Sequence, residues 1–172
     1  MTAEPTSHGP KPTALDLLVR GFYVVAYQIV RIYWQIFNPF THGVLVAVFN
    51  EGAVLLVQNS YVNYVSMPGG YLRRGETSVQ AAIRELHEET GLWAKAEELV
   101  PLLDQTAPFE GKKDRVEIFA LEAKIRRRVY VDQREVVSAR WTPITEALTL
   151  DLYPPIRKVL EARLSESSRA PS

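Results

Sequence analysis

The feature that most restricts the fold is a short helix whose start and stop are both marked in the sequence. Thr77, with Gln80 three residues later, forms a capping box, and Gly91 is a typical C-terminal stop. Between these limits apolar side chains recur at helical spacing and predict a stripe that faces a core, formed by Val79, Ile83 and Leu86. We therefore expect a single short helix that packs by one face.

Short apolar runs on both sides of this helix predict β-strands. GVLVAVF and AVLLVQN are separated by NEG, which is a hairpin signal, and YVNYVSM is a weaker strand candidate. RVEIFALEAKI and EVVSARWTPI predict strands after the helix, and ITEALTLDLYPPIRKVLEARL predicts helical pieces interrupted at Pro154 and Pro155. Strands before and after one central helix, followed by a terminal helix, indicate a mixed α/β domain.

A longer helix is predicted near the N-terminus, over residues 13–38. This stretch is apolar and free of proline, and Pro39 follows it directly. Only GFYVVAYQIV separates Arg20 from Arg31, whereas a membrane span needs about 20 apolar residues. One side of the helix is polar and aromatic, and the wider side carries Leu17, Leu18, Phe22, Val25, Ile29, Ile32 and Ile36. The pattern favours packing within the protein or a homodimer, then contact with a membrane surface, and last a true span.

Composition excludes several classes of site. Twenty basic and twenty acidic residues give a net charge of zero, so no specific binding to nucleic acid is expected. The chain has no cysteine and three scattered histidines, which argues against disulfides, thiolate nucleophiles and zinc sites. A bound metal would have to be a hard cation with oxygen ligands. Because no cleavage signal follows the first apolar run, we expect a cytoplasmic protein, either free or associated with a membrane.

The acidic side of the central helix leaves two interpretations open. Glu85, Glu88 and Glu89 fall within about 100° of arc, away from the core stripe. Three carboxylates this close repel one another unless a cation lies between them, and Mg²⁺ prefers such oxygen-rich surroundings. A solvated acidic helix face explains the same residues equally well.

The loop before the helix favours a binding site. Gly69 and Gly70 allow the backbone to approach a metal or phosphate closely, and Glu76 could fold back to pair with Arg84. A tight turn and a weak surface ion pair are the alternatives.

Together these residues match the complete Nudix box. From Gly70 the sequence gives Gly, five residues, Glu76, seven residues, Arg84-Glu85-Leu86, one residue, Glu88-Glu89, one residue and Gly91-Leu92. The chain thus resembles the Nudix hydrolases, and its strand pattern extends the resemblance over residues 41–164. The resemblance implies a Nudix-like α/β/α sandwich with a mixed sheet, preceded by the extra N-terminal helix.

The resemblance also implies roles for individual residues. Nudix enzymes hydrolyse a diphosphate linkage in a nucleoside diphosphate joined to another group, and they use Mg²⁺ or Mn²⁺. Here the metal ligands would be Glu85, Glu88, Glu89 and the carbonyl of Gly69, with Glu76 and Arg84 holding the helix in place. The general base varies within the family, and the candidates here are Glu85, Glu89, Glu135 and Asp132. Among the later acids Glu135 is preferred, with a solvated turn residue as its alternative.

Residues outside the box say less about the substrate. Pro108 lies sixteen residues after Leu92, a spacing similar to that in ADP-ribose pyrophosphatases, which weakly favours ADP-ribose or a nucleotide sugar. Basic side chains that could meet phosphates are Arg73, Arg74, Lys112, Lys113 and Arg115. Aromatic side chains that could stack on a base, with a core position as the alternative, are Tyr61, Tyr64, Tyr71, Phe109 and Trp141.

Two other functions stay open at this stage. One is a Nudix module that binds nucleotides without hydrolysing them. The other is a membrane-surface hydrolase of a lipid-linked diphosphate, which the helix over residues 13–38 motivates. The Pro-, Ser- and Thr-rich ends, residues 1–12 and 165–172, are predicted to be disordered tails.

Overall fold

A computed structural model describes residues 11–126 and 129–167 and shows a mixed sheet with helices on both faces. The α-helices of the described chain are Ala14–Phe37 (α1), Ser78–Thr90 (α2), Ile144–Ala147 (α3) and Pro154–Ser167 (α4). The strands are Phe40–Asn50 (β1), Ala53–Asn59 (β2), Gly69–Tyr71 (β3), Val100–Phe109 (β4), Lys112–Glu122 (β5) and Val136–Pro143 (β6). A short 3₁₀ turn, Ala96–Glu98, lies between α2 and β4.

The sheet branches around β1. Its order is β4-β5-β1-β2-β6, and β3 also pairs with β1. β1 runs parallel to β5 and antiparallel to β2 and β3, so the sheet is mixed. β3 pairs with residues 43–45 of β1, whereas β2 pairs with residues 49–50. The backbone of Gly69 and Gly70 therefore lies where the sheet divides.

Hydrophobic cores fill both faces of the sheet, because β1 and β2 are buried on both sides. Side chains packed toward α2 include Val44, Val46, Leu55, Leu86 and Trp141. Side chains packed toward α3 and α4 include Leu45, Phe49, Ile118, Ile156 and Leu160. The predicted α/β/α sandwich is confirmed, with α2 on one face and α4 on the other.

Local sequence signals account for most of the element boundaries. Thr77 and Gln80 form the predicted capping box of α2, and Gly91 ends that helix with a φ of 70°. Glu51 and Gly52 both have positive φ, as a tight hairpin turn between antiparallel strands requires. Pro154 begins α4 instead of only interrupting a helix, because the first helical position needs no N–H donor.

One strand prediction was wrong and one strand was missed. YVNYVSM is not a strand, since only Val65 and Ser66 form isolated bridges there. β4 was missed because it contains two prolines, which are tolerated at an edge of the sheet. Pro108 accordingly lies in β4 and not in a loop.

The N-terminal helix forms as predicted, but its polar side packs against the domain. Thr13 caps α1 through Asp16, and Asn38 ends the helix in the left-handed conformation. The buried residues of α1 are Asp16 and Trp34. All members of the wide apolar side are exposed, namely Leu17, Leu18, Phe22, Val25, Ile29, Ile32 and Ile36. Over residues 11–126 and 129–167 no helix is long and apolar enough to cross a membrane.

The predicted tails lie mostly outside the described residues. Residues 1–10 and 168–172 are not described, whereas residues 11–13 lead into α1 and α4 continues through Ser167.

Candidate active site

Two glycines bring the β3 backbone against β1 and α2. A Cβ atom on Gly69 would lie 2.1 Å from the carbonyl oxygen of Val44, and one on Gly70 would lie 2.6 Å from Oε1 of Glu85. At Gly69 the obstacle is the backbone of β1, so glycine is required there, whereas at Gly70 the obstacle is the end of the Glu85 side chain. The backbone of β3 therefore forms one wall of the site, directly against a carboxylate of α2.

Glu76 and Arg84 form the pair that the sequence predicts. Arg84 Nε donates to Glu76 Oε1 at 2.7 Å and Nη2 donates to Oε2 at 2.8 Å, a bidentate contact. Arg84 Nη2 also donates to the Tyr71 carbonyl at 3.2 Å. The hydrogen bonds from Arg84 lower the pKa of Glu76 to about 2. Arg84 thus joins the loop before α2, β3 and α2 itself.

The same arginine contacts two of the predicted metal ligands. Arg84 Nη1 donates to Glu85 at 2.5 Å and to Glu88 at 3.1 Å. Burial raises the pKa of Glu85 even though the Arg84 contact opposes the shift. Glu88 is more exposed and also accepts two hydrogen bonds from Arg73, at 3.0 and 3.1 Å.

Glu89 is the most deeply buried of the helix carboxylates. It is 8% exposed, and its Oε2 accepts a hydrogen bond from the Gly69 N–H at 2.8 Å. Burial raises the pKa of Glu89 well above its ordinary value, and the charges of Glu85 and Glu135 add to the shift. A single N–H donor does not compensate the negative charge of Glu89, so a cation nearby would stabilise the ionised carboxylate.

Glu135 joins this group from a distant part of the chain. It lies just before β6, lines the same cavity as Gly69 and Gly70, and accepts a hydrogen bond from the Tyr61 hydroxyl at 3.0 Å. Burial raises its pKa, and the charges of Asp132 and Glu88 contribute. Glu135 is therefore a half-buried residue of the site and not a solvated turn residue. Asp132 is exposed, and its carboxylate accepts from the backbone of Arg134 and Val136.

The chemistry of the carboxylates fits a hard divalent cation. In the part of the chain that the structure describes, no three His, Asp or Glu side chains are already arranged around a metal position. The reason is that Arg84 and Arg73 occupy Glu85 and Glu88, while Glu89 contacts the Gly69 N–H. Carboxylate oxygens are nevertheless the donors that Mg²⁺ and Mn²⁺ prefer, and Glu85, Glu88 and Glu89 all lie on α2. Binding of such an ion would require Glu85 and Glu88 to exchange their contacts with Arg84 and Arg73 for the ion.

A cavity of about 530 Å³ is lined by Gly69, Gly70 and Glu135. Four of the predicted aromatic residues line it, namely Tyr61, Tyr64, Tyr71 and Phe109. The fifth, Trp141, is 1% exposed and belongs to the core between the sheet and α2. The cavity also has lining residues from α1 that the sequence did not indicate as part of a site.

The predicted basic residues divide between the site and the surface. Arg73 contacts Glu88 and also donates its backbone N–H to Glu76 at 2.9 Å. Arg74 and Lys113 are exposed. Arg115 lies on β5 outside the cavity lining, paired with Asp104 at 2.8 Å and with Glu117 at 3.4 Å. The structure thus brings Arg73 to the carboxylates and Arg115 to the β4–β5 edge.

Lys112 is buried in the cavity wall. It is 3% exposed, donates to the Tyr71 hydroxyl, and pairs with Asp114 at 3.3 Å. Its ammonium also lies 4.1 Å from the centre of the Trp34 ring. Burial lowers the pKa of Lys112. The sequence KKDR suggests only a charged surface strand, so the buried position of Lys112 had no sequence signal.

Comparisons with known proteins agree with this geometry. The family model of the NUDIX domain matches residues 39–162, close to the predicted range 41–164. A protein of Bacillus subtilis (strain 168), provisionally described as an 8-oxo-dGTP diphosphatase, is 43% identical over 53 residues, or 30% of this chain. That match spans only 36% of the relative's length.

Solved structures share the fold at low sequence identity. A MutT NUDIX hydrolase from Burkholderia pseudomallei superposes with a TM-score of 0.63 at 20% identity, covering 71% of this chain and 96% of the other. A bifunctional NMN adenylyltransferase/ADP ribose pyrophosphatase from Francisella tularensis, complexed with AMP and Mn ion, superposes with a TM-score of 0.61. It is 20% identical, and the match covers 88% of this chain and 48% of the other.

Proposed function

The chain belongs to the Nudix family, and on that premise we propose that it hydrolyses a diphosphate linkage in a nucleoside diphosphate joined to another group. The observation that carries the proposal is the position of Glu89 and Glu85 against the backbone of Gly69 and Gly70. These two glycines and Glu135 line a cavity large enough for a nucleotide. Carboxylates with raised pKa values in a concave site are typical of catalysis and not of a solvated helix face.

We assign the cation site to Glu85, Glu88, Glu89 and the Gly69 carbonyl. Mg²⁺ or Mn²⁺ bound there would neutralise charge on the diphosphate and lower the pKa of a bound water. Arg84 holds the α2 carboxylates in place, since its guanidinium is fixed by Glu76 and by the Tyr71 carbonyl. Arg73 faces Glu88 from the loop, so it can turn to a phosphate oxygen when the carboxylate is otherwise engaged.

Glu135 is the general base in this proposal. It faces the cavity, and its raised pKa brings it closer to the range in which a carboxylate accepts a proton efficiently. The Tyr61 hydroxyl orients it through a hydrogen bond of 3.0 Å. Glu85 and Glu89 contact Arg84 and Gly69 respectively, which leaves them better placed to hold a cation than to move a proton.

The test is an activity panel with matched glutamine variants. The purified protein is incubated with Mg²⁺ or Mn²⁺ and with ADP-ribose, nucleotide sugars, 8-oxo-dGTP and dinucleoside polyphosphates, and phosphate-containing products are measured. We expect cation-dependent hydrolysis that Glu88→Gln abolishes and Glu135→Gln lowers by about 10²-fold or more. Glu97→Gln is the control, because Glu97 is exposed on the 3₁₀ turn.

The substrate weakly favoured within this panel is ADP-ribose or a nucleotide sugar. The position of Pro108 supports it, as does the likeness to a protein described as an ADP ribose pyrophosphatase. The relative described as an 8-oxo-dGTP diphosphatase argues for including triphosphates. Hydrolysis of none of these compounds, together with retained nucleotide binding, would identify a binding module without activity.

A second proposal concerns the outer side of α1, which we assign to contact with a membrane surface. Asp16, Arg20 and Arg31 all turn toward the domain, where they have partners, so the outer side is uncharged along the helix. Its side chains are large and well exposed, with Phe22 at 71% and Ile29 at 63%. An uncharged apolar stripe parallel to the protein surface suits partial insertion among lipids. A lipid-linked diphosphate, the alternative substrate, would require this membrane contact, whereas a nucleotide substrate would not.

Liposome co-sedimentation tests this second proposal. We expect the full chain to sediment with liposomes, and the double variant Val25→Glu, Ile29→Glu to remain in the supernatant. Gln28→Glu is the control, because it adds one of these two negative charges at an exposed polar position of α1. Absence of sedimentation, with a dimer that the double variant separates, would instead assign the outer side to a second copy of the chain.

A further inference from the structure

The cavity beside the glutamates has a wall that the Nudix domain does not supply. The family match begins at residue 39, so α1 lies outside it. The α1 side chains that nevertheless line the cavity are Tyr23, Ala26, Tyr27, Val30 and Trp34. The lining continues without interruption to Gly69, Gly70 and Glu135, which belong to the proposed catalytic site. A ligand held here would lie against Glu135 and against the β3 backbone beside Glu85 and Glu89.

Polar contacts hold α1 across the cavity at both ends. Near its start, Arg20 Nε donates to the Gln133 carbonyl at 2.8 Å, and Arg134 pairs with Asp16 at 2.9 Å. Farther along, the Tyr27 hydroxyl donates to Glu110 at 2.5 Å. The helix therefore connects the loop that carries Glu135 to the turn between β4 and β5.

The lining of the cavity is rich in aromatic rings. The ring centres of Tyr27 and Tyr61 are 5.0 Å apart, and those of Tyr23 and Tyr61 are 6.1 Å apart. Trp34 and Tyr71 continue the row with centres 6.5 Å apart. Rings from α1 thus meet rings from the domain along the whole cavity. Flat aromatic groups bind well to such surfaces, because stacking tolerates many ring types.

Two polar atoms in this lining point to a heterocycle. Lys112 donates to Tyr71 and pairs with Asp114, and its ammonium lies 4.1 Å from the centre of the Trp34 ring, so it gives this part of the lining a positive charge. Asn59 Oδ1 is buried, and within the described residues it has no hydrogen-bond partner. A heteroaromatic ring offers hydrogen-bonding groups on its edge, whereas an alkyl or isoprenoid chain would leave the Asn59 oxygen unsatisfied.

We propose that this cavity binds a planar heteroaromatic ring of purine size, with α1 as its outer wall and Lys112 and Asn59 at its polar edge. The inference rests on the proposed function in one respect, since it places the phosphates of the same ligand at Gly69 and Gly70. α1 then selects the substrate by its non-phosphate group, and the Nudix glutamates act on the diphosphate.

Matched substitutions on α1 test the wall. Ala26→Phe adds a ring inside the cavity, whereas Val25→Phe adds the same ring on the outer side, where Val25 is 60% exposed. The affinity for AMP, measured by calorimetry without divalent cation, should fall about tenfold or more in Ala26→Phe and stay unchanged in Val25→Phe. In hydrolysis assays KM for a nucleoside-containing substrate should rise by a similar factor, with kcat retained.

A second pair removes a ring instead of adding one. Tyr27→Leu should weaken AMP binding, and Tyr33→Leu, on the outer side, should not. Circular dichroism spectra that match the unaltered chain would show that each variant is folded. Ribose 5-phosphate, which lacks the ring, should bind weakly and equally to all variants.

The outcomes separate this inference from the proposed function. AMP binding that Ala26→Phe and Tyr27→Leu leave unchanged would overturn the role of α1, even in an active hydrolase. Tighter binding of an isoprenyl monophosphate than of AMP would overturn the heteroaromatic ring as ligand. AMP binding that depends on α1, in a protein that hydrolyses nothing, would support the inference and refute the proposed function.

Discussion

Arg84 allows several carboxylates to lie close to one another. Its guanidinium contacts Glu76, Glu85 and Glu88 at once, at 2.5 to 3.1 Å. The pKa of Glu76 is lowered, while burial raises the pKa of Glu85 and Glu89. Arg84 therefore compensates the charge of Glu76 most fully, whereas burial dominates the pKa shifts of Glu85 and Glu89.

The Glu76–Arg84 pair gives a pH dependence of stability. The Arg84 hydrogen bonds lower the pKa of Glu76 from 4.5 to about 2 in the folded state. A lowered pKa stabilises the fold above the unfolded value, and this contribution is lost as the pH falls through the folded value. Glu76→Gln should therefore unfold at lower urea concentration than the unaltered chain at pH 7. The difference should shrink between pH 4.5 and pH 2.

Urea unfolding at pH 7, 4 and 2.5 checks this prediction. Glu97→Gln, at an exposed position, should match the unaltered chain at every pH. A constant difference for Glu76→Gln over this pH range would contradict the assigned ion pair.

Replacement of Gly69 and Gly70 by alanine should have different effects on stability and on activity. The new Cβ of Gly69→Ala meets the Val44 backbone, which cannot move without disturbing β1, so we expect a loss of about 1–3 kcal/mol in the free energy of unfolding. The new Cβ of Gly70→Ala meets the end of the Glu85 side chain, which can rotate away. Gly70→Ala should therefore keep most of its stability and lose hydrolytic activity.

Denaturant unfolding and the activity assay, applied to both variants, distinguish the two effects. Each variant serves as the control for the other. Equal losses of stability would show that the two glycines have the same structural role.

Residues with local signals were predictable, and residues defined by distant contacts were not. Thr77, Gly91, Glu76 and Arg84 follow from spacing along one helix and its loop, so one segment of sequence contains them. Burial of Lys112 depends on Trp34, Tyr71 and Asp114, which come from three separate elements. No pattern near Lys112 could have indicated this environment.

At the scale of elements, α1 was predicted correctly in extent, whereas the side that packs against the domain was left open. Apolar periodicity normally marks the side that packs on a core. Here the polar side packs, because its groups have specific partners such as Gln133, Glu110 and Arg134. Those partners lie on distant loops, so hydropathy alone could not choose between the two sides.

Trp34 should control the attachment of α1 to the domain. It is 7% exposed and packs between Lys112 and the rings of Tyr27 and Tyr71. Trp34→Ala removes these contacts, so we expect faster hydrogen exchange throughout the C-terminal half of α1 and unchanged exchange in α2. Hydrogen–deuterium exchange followed by mass spectrometry measures both helices at once.

Tyr33→Ala is the matched control on the same helix. Tyr33 is 50% exposed and contacts Phe37 on the outer side. Faster exchange in α1 for Tyr33→Ala but not for Trp34→Ala would mean that the outer side holds the helix.

At the scale of the whole molecule, a neutral net charge accompanies an exposed apolar helix face. The chain carries 20 basic and 20 acidic residues, and its pI is about 6.8. Association through apolar surface is strongest where charge repulsion vanishes. We therefore expect self-association to be greatest near pH 6.8 and to decrease on either side.

Light scattering between pH 5.5 and pH 8.5 measures this dependence. Val25→Glu, Ile29→Glu should reduce association at every pH, because it charges the outer side of α1. A pH profile that the double variant does not change would place the associating surface elsewhere on the molecule.

The inward polar side of α1 has a consequence for how such chains are compared. Homology assigns the boundary of a family domain from shared sequence, and here it excludes everything before residue 39. Tyr23, Tyr27 and Trp34, which face the ligand cavity, lie before that boundary. Two chains with identical Nudix boxes could thus differ in substrate through a segment that their alignment never includes. For this chain, the proposed ring site would make the segment that selects the substrate longer than the segment that defines the family.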